Sequence, residues 1–155
     1  MKTGEKSPRI SNKKAFFHFE IGEKFVAGIA LLGAEVKSLR GGRGSLSGAF
    51  VVVKNGEVFV KNFHIPPWEF AREKIDPDRE RKLLLKKREI QKITRALAEK
   101  GRTIVPLAVF FSRGLAKIEI ALARGKKKFD KRATLKSRDE KRHLDAKIKM
   151  FRGKI

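Results

Sequence analysis

The stretch Phe50-Val51-Val52-Val53-Lys54-Asn55-Gly56-Glu57-Val58-Phe59-Val60 sets two short apolar runs on either side of an Asn-Gly pair. A two-residue type I′ turn needs positive φ at both central positions, and Asn followed by Gly adopts it at little steric cost. The flanking runs are β-branched and aromatic, so antiparallel strands closed at 55–56 are expected. Downstream, Thr103 to Phe111 and Ala116 to Ala123 form a second expected hairpin, turning at Arg113-Gly114. In its return strand Ile118, Ile120 and Leu122 recur at every second position around Lys117 and Glu119, the period of a half-buried strand. Upstream, Phe17, Phe19 and Ile21 alternate in the same way, with Phe16 and His18 on the opposite face. Val26 to Leu32 is apolar enough for a more central strand.

Two helices are expected among the strands. Leu32, Val36 and Leu39 share one face of a short helix that Gly41-Gly42 would end. Ile90, Ile93 and Leu97 mark the apolar stripe of a longer helix through Lys100, with Gly101 following it. Short strands at steady spacing with embedded helices point to a mainly β fold with helices. A small antiparallel barrel fits best, and the OB-like barrel is the common type that binds oligonucleotides. Three segments are expected: a flexible basic leader over 1–14, a barrel over 15–125, and a basic tail over 126–155.

Charge decides the class of partner. The 155 residues carry 39 Lys and Arg against 17 Asp and Glu, a formal net charge of +22. A compact body with that charge repels itself, and a polyanion is the usual compensation. Nucleic acid is the leading reading, with an acidic membrane surface or an acidic protein as alternatives. With no cysteine in the chain, disulfides, thiolate nucleophiles and zinc ribbons are excluded. The longest apolar run, Val105 to Phe111, falls far short of the roughly 20 residues that cross a bilayer, and no signal peptide opens the chain. A cytoplasmic protein with no membrane partner is expected.

Catalysis finds no support in the motifs. His18, His64 and His143 have no metal-ligand spacing, so no metal site is expected. Ser45 and Ser47 sit in a Gly-rich turn with no sign of a paired base. Gly41-Gly42-Arg43-Gly44 follows a helix and lacks the Gly-Lys-Ser/Thr of a phosphate loop, so turn chemistry accounts for it and no cofactor is expected. Glu35 and Glu119 are isolated acids among many bases, suited to surface ion pairs.

Basic clusters with aromatic residues among them carry the positive signal. Lys13-Lys14 leads into Phe16, Phe17 and Phe19; Arg79, Arg81 and Lys82 precede Leu83-Leu84-Leu85; Lys126-Lys127-Lys128 stands next to Phe129. Cations meet phosphates and flat rings meet unstacked bases. In the tail, Leu144, Ile148 and Phe151 have helical spacing, but the stripe is thin and the neighbouring cations repel one another. Two readings stand: a solubilising appendage, or a segment that is disordered alone and becomes helical within an anionic groove.

The motifs also resemble a known family. Asn12-Lys13-Lys14-Ala15, Ala27-Gly28-Ile29-Ala30-Leu31, Gly33-Ala34-Glu35-Val36-Lys37-Ser38-Leu39-Arg40, His64-Ile65-Pro66-Pro67, Asp76-Pro77, Arg81-Lys82-Leu83-Leu84-Leu85 and Asp130-Lys131-Arg132 occur in the order and spacing of SmpB proteins. The resemblance implies an OB-like barrel of about six antiparallel strands with about three helices, plus the basic tail. It implies a non-enzymatic factor of trans-translation that binds the tRNA-like domain of tmRNA, supports its alanylation, and accompanies it to stalled ribosomes. EF-Tu and alanyl-tRNA synthetase would be partners indirectly through tmRNA, and a monomer is expected. A generic single-stranded RNA-binding OB protein is the alternative.

Residue by residue, the resemblance puts Asn12, Lys13, Lys14, Phe19 and Gly28 on the tmRNA-contacting surface, with Glu35, Lys37 and Arg40 on the short helix. Arg81 and Lys82 would lie on a basic loop. Lys126, Lys127, Phe129, Asp130, Lys131 and Arg132 would serve the ribosomal decoding centre, the tail continuing into the empty mRNA channel. Departures are visible. Phe19 stands where the family usually has Tyr, keeping the stacking face but losing the phenol hydrogen bond. Val26 stands where Glu is frequent, and Trp68 replaces a usual Tyr.

Overall fold

The computed structural model describes residues 8–126. Its elements run β1 (Ile10–Ser11), α1 (Lys13–His18), β2 (Phe19–Ile29), α2 (Gly33–Arg40), β3 (Phe50–Lys54), β4 (Glu57–Lys61), β5 (Arg81–Leu84), α3 (Lys87–Leu97), β6 (Arg102–Ser112) and β7 (Leu115–Gly125). The strands form one sheet in the order β1-β6-β7-β2-β5-β4-β3, antiparallel at every pairing. β3 also lies close to β6 from the far end of that order, so the sheet curls on itself around its core. The mainly β architecture with three helices agrees with expectation. Seven strands stand where about six are expected: β1 and β5 are not among the expected strands, and the expected strands near 17–21 and 26–32 run together in β2.

Both expected hairpins form. Asn55 and Gly56 have φ of 51° and 74°, and Arg113 and Gly114 have 52° and 76°, the left-handed pairs a type I′ turn requires. Lys54 pairs with Glu57 and Ser112 with Leu115 directly across these turns.

Three boundaries differ from the sequence reading. Residues 13–18 are helical rather than a strand. Ala15 is buried against Val105, Leu107, Ala121 and Ala123 in a small second core on the outer face of β6 and β7. Packing on that face settles a short Phe-rich run that either period fits. Residues 10–14 belong to the fold rather than to a flexible leader. Ile10 and Ser11 pair with Val109 and Ala108, and the Asn12 backbone N–H donates to the Leu107 carbonyl at 2.8 Å. The Asn12 side-chain amide donates to the Pro106 carbonyl at 2.9 Å, beside the irregularity in β6 between Pro106 and Ala108. Finally, α3 ends at Leu97 rather than Lys100, because the chain turns there: Glu99 N–H donates to Ala96 at 3.1 Å and Arg102 N–H to Glu99 at 3.3 Å. Gly101, at φ 81°, completes the reversal.

The main core joins Phe25, Ala27 and Ile29 of β2 to Leu39 of α2, Val58 and Val60 of β4, Leu83 of β5, Ile93 of α3, and Ile118 and Ile120 of β7. The helices sit at opposite ends of the long strands. β2 finishes at Ile29 beside α2, whereas β6 starts at Arg102 just after α3 and finishes near Arg40 of α2, whose guanidinium lies 5.8 Å from the Phe111 ring centre. The ends of the barrel nearest these two helices are the α2 pole and the α3 pole.

Candidate nucleic-acid interface

Helix α2 starts where Glu35, in its first turn, accepts the Leu32 N–H at 2.9 Å and so satisfies one orphan donor. It stops at Gly41 and Gly42, the latter at φ 76°, with Gly42 N–H donating to Leu39 at 2.9 Å. Glu35 has a larger task. It is 3% exposed and faces two arginines from the loop and strand beyond β4. Arg79 Nε donates to its two oxygens at 3.2 and 3.1 Å, and Arg81 Nε to Oε2 at 2.5 Å. Arg81 is fully buried, and its remaining donors reach the carbonyls of Phe63, Arg79 and Pro77. This triad locks α2 to β5 and to the 62–80 loop, and Ser38 Oγ adds a bond to the Pro66 carbonyl at 2.8 Å.

Burial by itself, the largest influence, would raise the Glu35 pKa. Hydrogen bonds from Arg79, Leu32 N–H and Arg81, with the Arg81 charge, outweigh it and hold the carboxyl below its ordinary value. Burial pulls the Arg81 guanidinium down from its usual pKa, opposed by Glu35. A depressed folded-state pKa gives stability that is fully present above the unfolded carboxylate value of about 4.3 and fades as pH falls through the folded value. We therefore expect the urea midpoint to fall on acidification through and below about pH 4. Glu35→Gln should be less stable at neutral pH and lose less over that acidic window; equal acid sensitivity of the two proteins would refute this.

The triad corrects two expectations. Arg81 lies on strand β5 rather than a loop, and its guanidinium is turned inward and fully engaged, so it offers nothing to an external partner. Glu35 likewise makes an internal ion pair rather than a surface one. The signal was partly available, since alternation places Arg81 on the same face as Leu83. Lys82 does project outward from β5 and pairs with Glu57 at 3.0 Å.

Other expected residues fall into two groups. Lys14 reaches Ser47 at 3.4 Å, tying α1 to the loop after α2. Lys37 Nζ sits 3.9 Å above the Trp68 ring, and Arg40 over Phe111. Gly28 lies on the outer face of β2, where an added Cβ would come within 3.3 Å of Leu84 Cβ. With Lys13 exposed on α1 and Asn12 pinned to β6, these residues occupy the α2 half and one flank of the barrel. Phe19, half-buried beneath α1, lies toward the other pole, opposite Gly125. Lys126 donates its backbone N–H to His18 at 2.9 Å there. Lys127, Phe129, Asp130, Lys131 and Arg132 lie outside the described residues. Arg9 was missed by the sequence reading; its guanidinium lies 5.3 Å from the Phe110 ring centre, a pairing of distant segments that no local pattern reveals.

Among the described residues, no group of three or more His, Cys, Asp or Glu side chains is placed to hold a metal ion, and no helix is long and apolar enough to cross a membrane. The surface is thus one of cations and rings on a rigid frame, suited to phosphates and bases.

The family model described as SmpB protein matches residues 9–150. The chain is 50% identical over 135 residues to the SsrA-binding protein of Geobacter sulfurreducens, covering 86% of this chain and 88% of that protein. It is 49% identical over 144 residues to the SsrA-binding protein of Treponema denticola, covering 92% and 93%. A solved chain from work described as "tmRNA-SmpB: a journey to the center of the bacterial ribosome" matches with a TM-score of 0.66 and 44% identity, covering 78% of this chain and 86% of that one. With the barrel, the cation-bearing α2 pole and these likenesses together, the chain belongs to the SmpB protein family.

Proposed function

We propose that this chain is a non-enzymatic, cytoplasmic tmRNA-binding factor of trans-translation. It holds the tRNA-like domain of tmRNA, supports its alanylation and delivery to stalled ribosomes, and sends the basic tail into the empty decoding centre and mRNA channel. The observation that carries the RNA-binding step is the pair of exposed cations Lys37 and Arg40 on α2, a helix fixed by the buried Glu35–Arg79–Arg81 triad, with Lys14 of α1 tied to Ser47 in the loop that follows α2. Preformed spacing of cations favours a structured RNA over a flexible strand, because a folded phosphate array loses little conformational entropy on docking.

Competition binding tests the reading: a tRNA-like tmRNA fragment should displace unstructured RNA of equal length, and equal affinities would make the chain a generic RNA binder. Lys37→Ala with Arg40→Ala should weaken binding to the fragment and reduce the log-salt slope by about two, one unit per lost phosphate contact. An unchanged slope would remove both residues from the interface. Lys82→Ala tests the β5 flank in the same assay, with an expected reduction of about one.

A further inference from the structure

The loop between β4 and β5 carries the one tryptophan of the chain, and its chemistry differs from the surface around it. Residues 66–75 set Glu69 and Glu73 against Arg72 and Lys74, so this segment has no net charge in a chain of +22. In place of unbalanced cations it presents rings. Phe70 is 69% exposed, more than any other large apolar residue among those described. It meets Trp68 edge to face, with ring centres 5.4 Å apart and planes at 68°.

The loop is anchored well enough to hold these rings in place. Ser38 Oγ of α2 donates to the Pro66 carbonyl at 2.8 Å, and Ile65 N–H donates to the Pro77 carbonyl at 3.0 Å, closing the loop at its base. Ala71 N–H donates to the Trp68 carbonyl at 3.0 Å, a turn with Glu69 and Phe70 at its tip. Ala34 of α2, Ile65, Pro67 and Ile75 line a small cavity together with Trp68. Lys37 of α2 rests its Nζ over the indole, 3.9 Å from the ring centre, with the exposed Arg40 farther along the same helix. The cover on the ring is therefore an exposed ammonium, the kind of group that a phosphate draws away.

We infer that Trp68 and Phe70 form a stacking site for one unpaired base of the RNA held at α2, and that Lys37 covers this site in the free protein. As RNA docks, the ammonium moves onto a phosphate and the base takes its place over the indole. A base stacked on an aromatic face is held more strongly than a cation over an exposed ring, so the exchange runs toward the base. The balanced charge of the loop suits a base better than further phosphates, which would meet Glu69 and Glu73. The inference rests on the function proposed above and adds a contact to a base beside the phosphate contacts of Lys37 and Arg40. Phosphate contacts fix position, whereas a base contact requires that a nucleotide be unpaired at that place.

With one Trp and no Tyr in the chain, indole fluorescence reports on this site alone. Full-length protein is titrated with a tRNA-like tmRNA fragment and, separately, with oligoadenylate, a strand of unpaired bases. Both should quench the Trp68 emission and shield it from acrylamide. Heparin, a polyanion without bases, should leave the indole open to acrylamide. Trp68→Leu, checked for an unchanged thermal transition, should bind the fragment about tenfold more weakly with its log-salt slope intact, and Trp68→Phe should recover most of that loss. Should Trp68→Leu melt early, the fluorescence of the parent decides. A loss in Trp68→Leu accompanied by a slope lower by about one would overturn the inference, leaving Trp68 as a support that positions Lys37. Emission and acrylamide access unchanged at saturating fragment would also overturn it, as would full affinity in Trp68→Leu, which would leave the rings to a protein partner. If the fragment does not bind while oligoadenylate shields the indole, the tmRNA reading fails and the stacking site stands.

Discussion

Replacing Arg81 with Ala is expected to destabilise the barrel by about 3–5 kcal/mol, the usual consequence of removing one partner from a buried ion pair. Its guanidinium is fully buried and meets Glu35 as well as the carbonyls of Phe63, Pro77 and Arg79. Truncation removes every one of those donors at once and leaves a cavity the size of the side chain. Glu35 keeps Arg79, but that residue is partly exposed, so the remaining pair is more open to solvent. At two to four degrees per kcal/mol for a domain of this size, the thermal midpoint should fall by roughly 6–20 °C.

A double substitution separates charge from shape. Arg81→Met with Glu35→Gln removes both charges while keeping much of the volume, and should recover part of the loss. Urea unfolding of the parent, Arg81→Met, Glu35→Gln and the double form completes the cycle. A loss below about 1 kcal/mol for Arg81→Ala would show that the triad contributes little. In RNA binding, Arg81→Ala should leave the salt slope of the folded protein unchanged, which distinguishes a framework arginine from one that touches phosphate.

Ile93→Ala is expected to cost about 2–5 kcal/mol, with the loss concentrated in α3. Ile93 is fully buried in the main core, and only it and Ala96 are buried along the helix. The outward face is crowded with cations, so an eleven-residue helix detached from the barrel would be marginal. Amide exchange should therefore show α3 opening ahead of β6 and β7. If the helix stayed as protected as those strands, packing at Ile93 would not be what holds it.

The parts of the fold that were legible in the sequence are those fixed by neighbours along the chain. Asn55-Gly56 and Arg113-Gly114 dictate their hairpins because positive φ is a local demand. Gly41-Gly42 stops α2 for a related reason. Residues 13–18 were misread because six residues carry too little periodicity, and Ala15 packing on β6 and β7 decides the outcome. The same holds for Arg81, whose acid partner lies 46 positions away. Cation-rich motifs mark a nucleic-acid binder, but which cation faces outward depends on strand phase and on distant counter-ions. Lys82 and Arg81 are adjacent in sequence and opposite in environment for that reason.

The smallest element carries a disproportionate consequence. By pairing Ile10 and Ser11 with Val109 and Ala108, β1 occupies backbone groups at one margin of the sheet. An uncovered margin invites a neighbouring molecule to add a strand of its own. Two residues that read as part of a loose leader thus act as a selvedge on the woven sheet, covering the Ala108–Val109 stretch of β6.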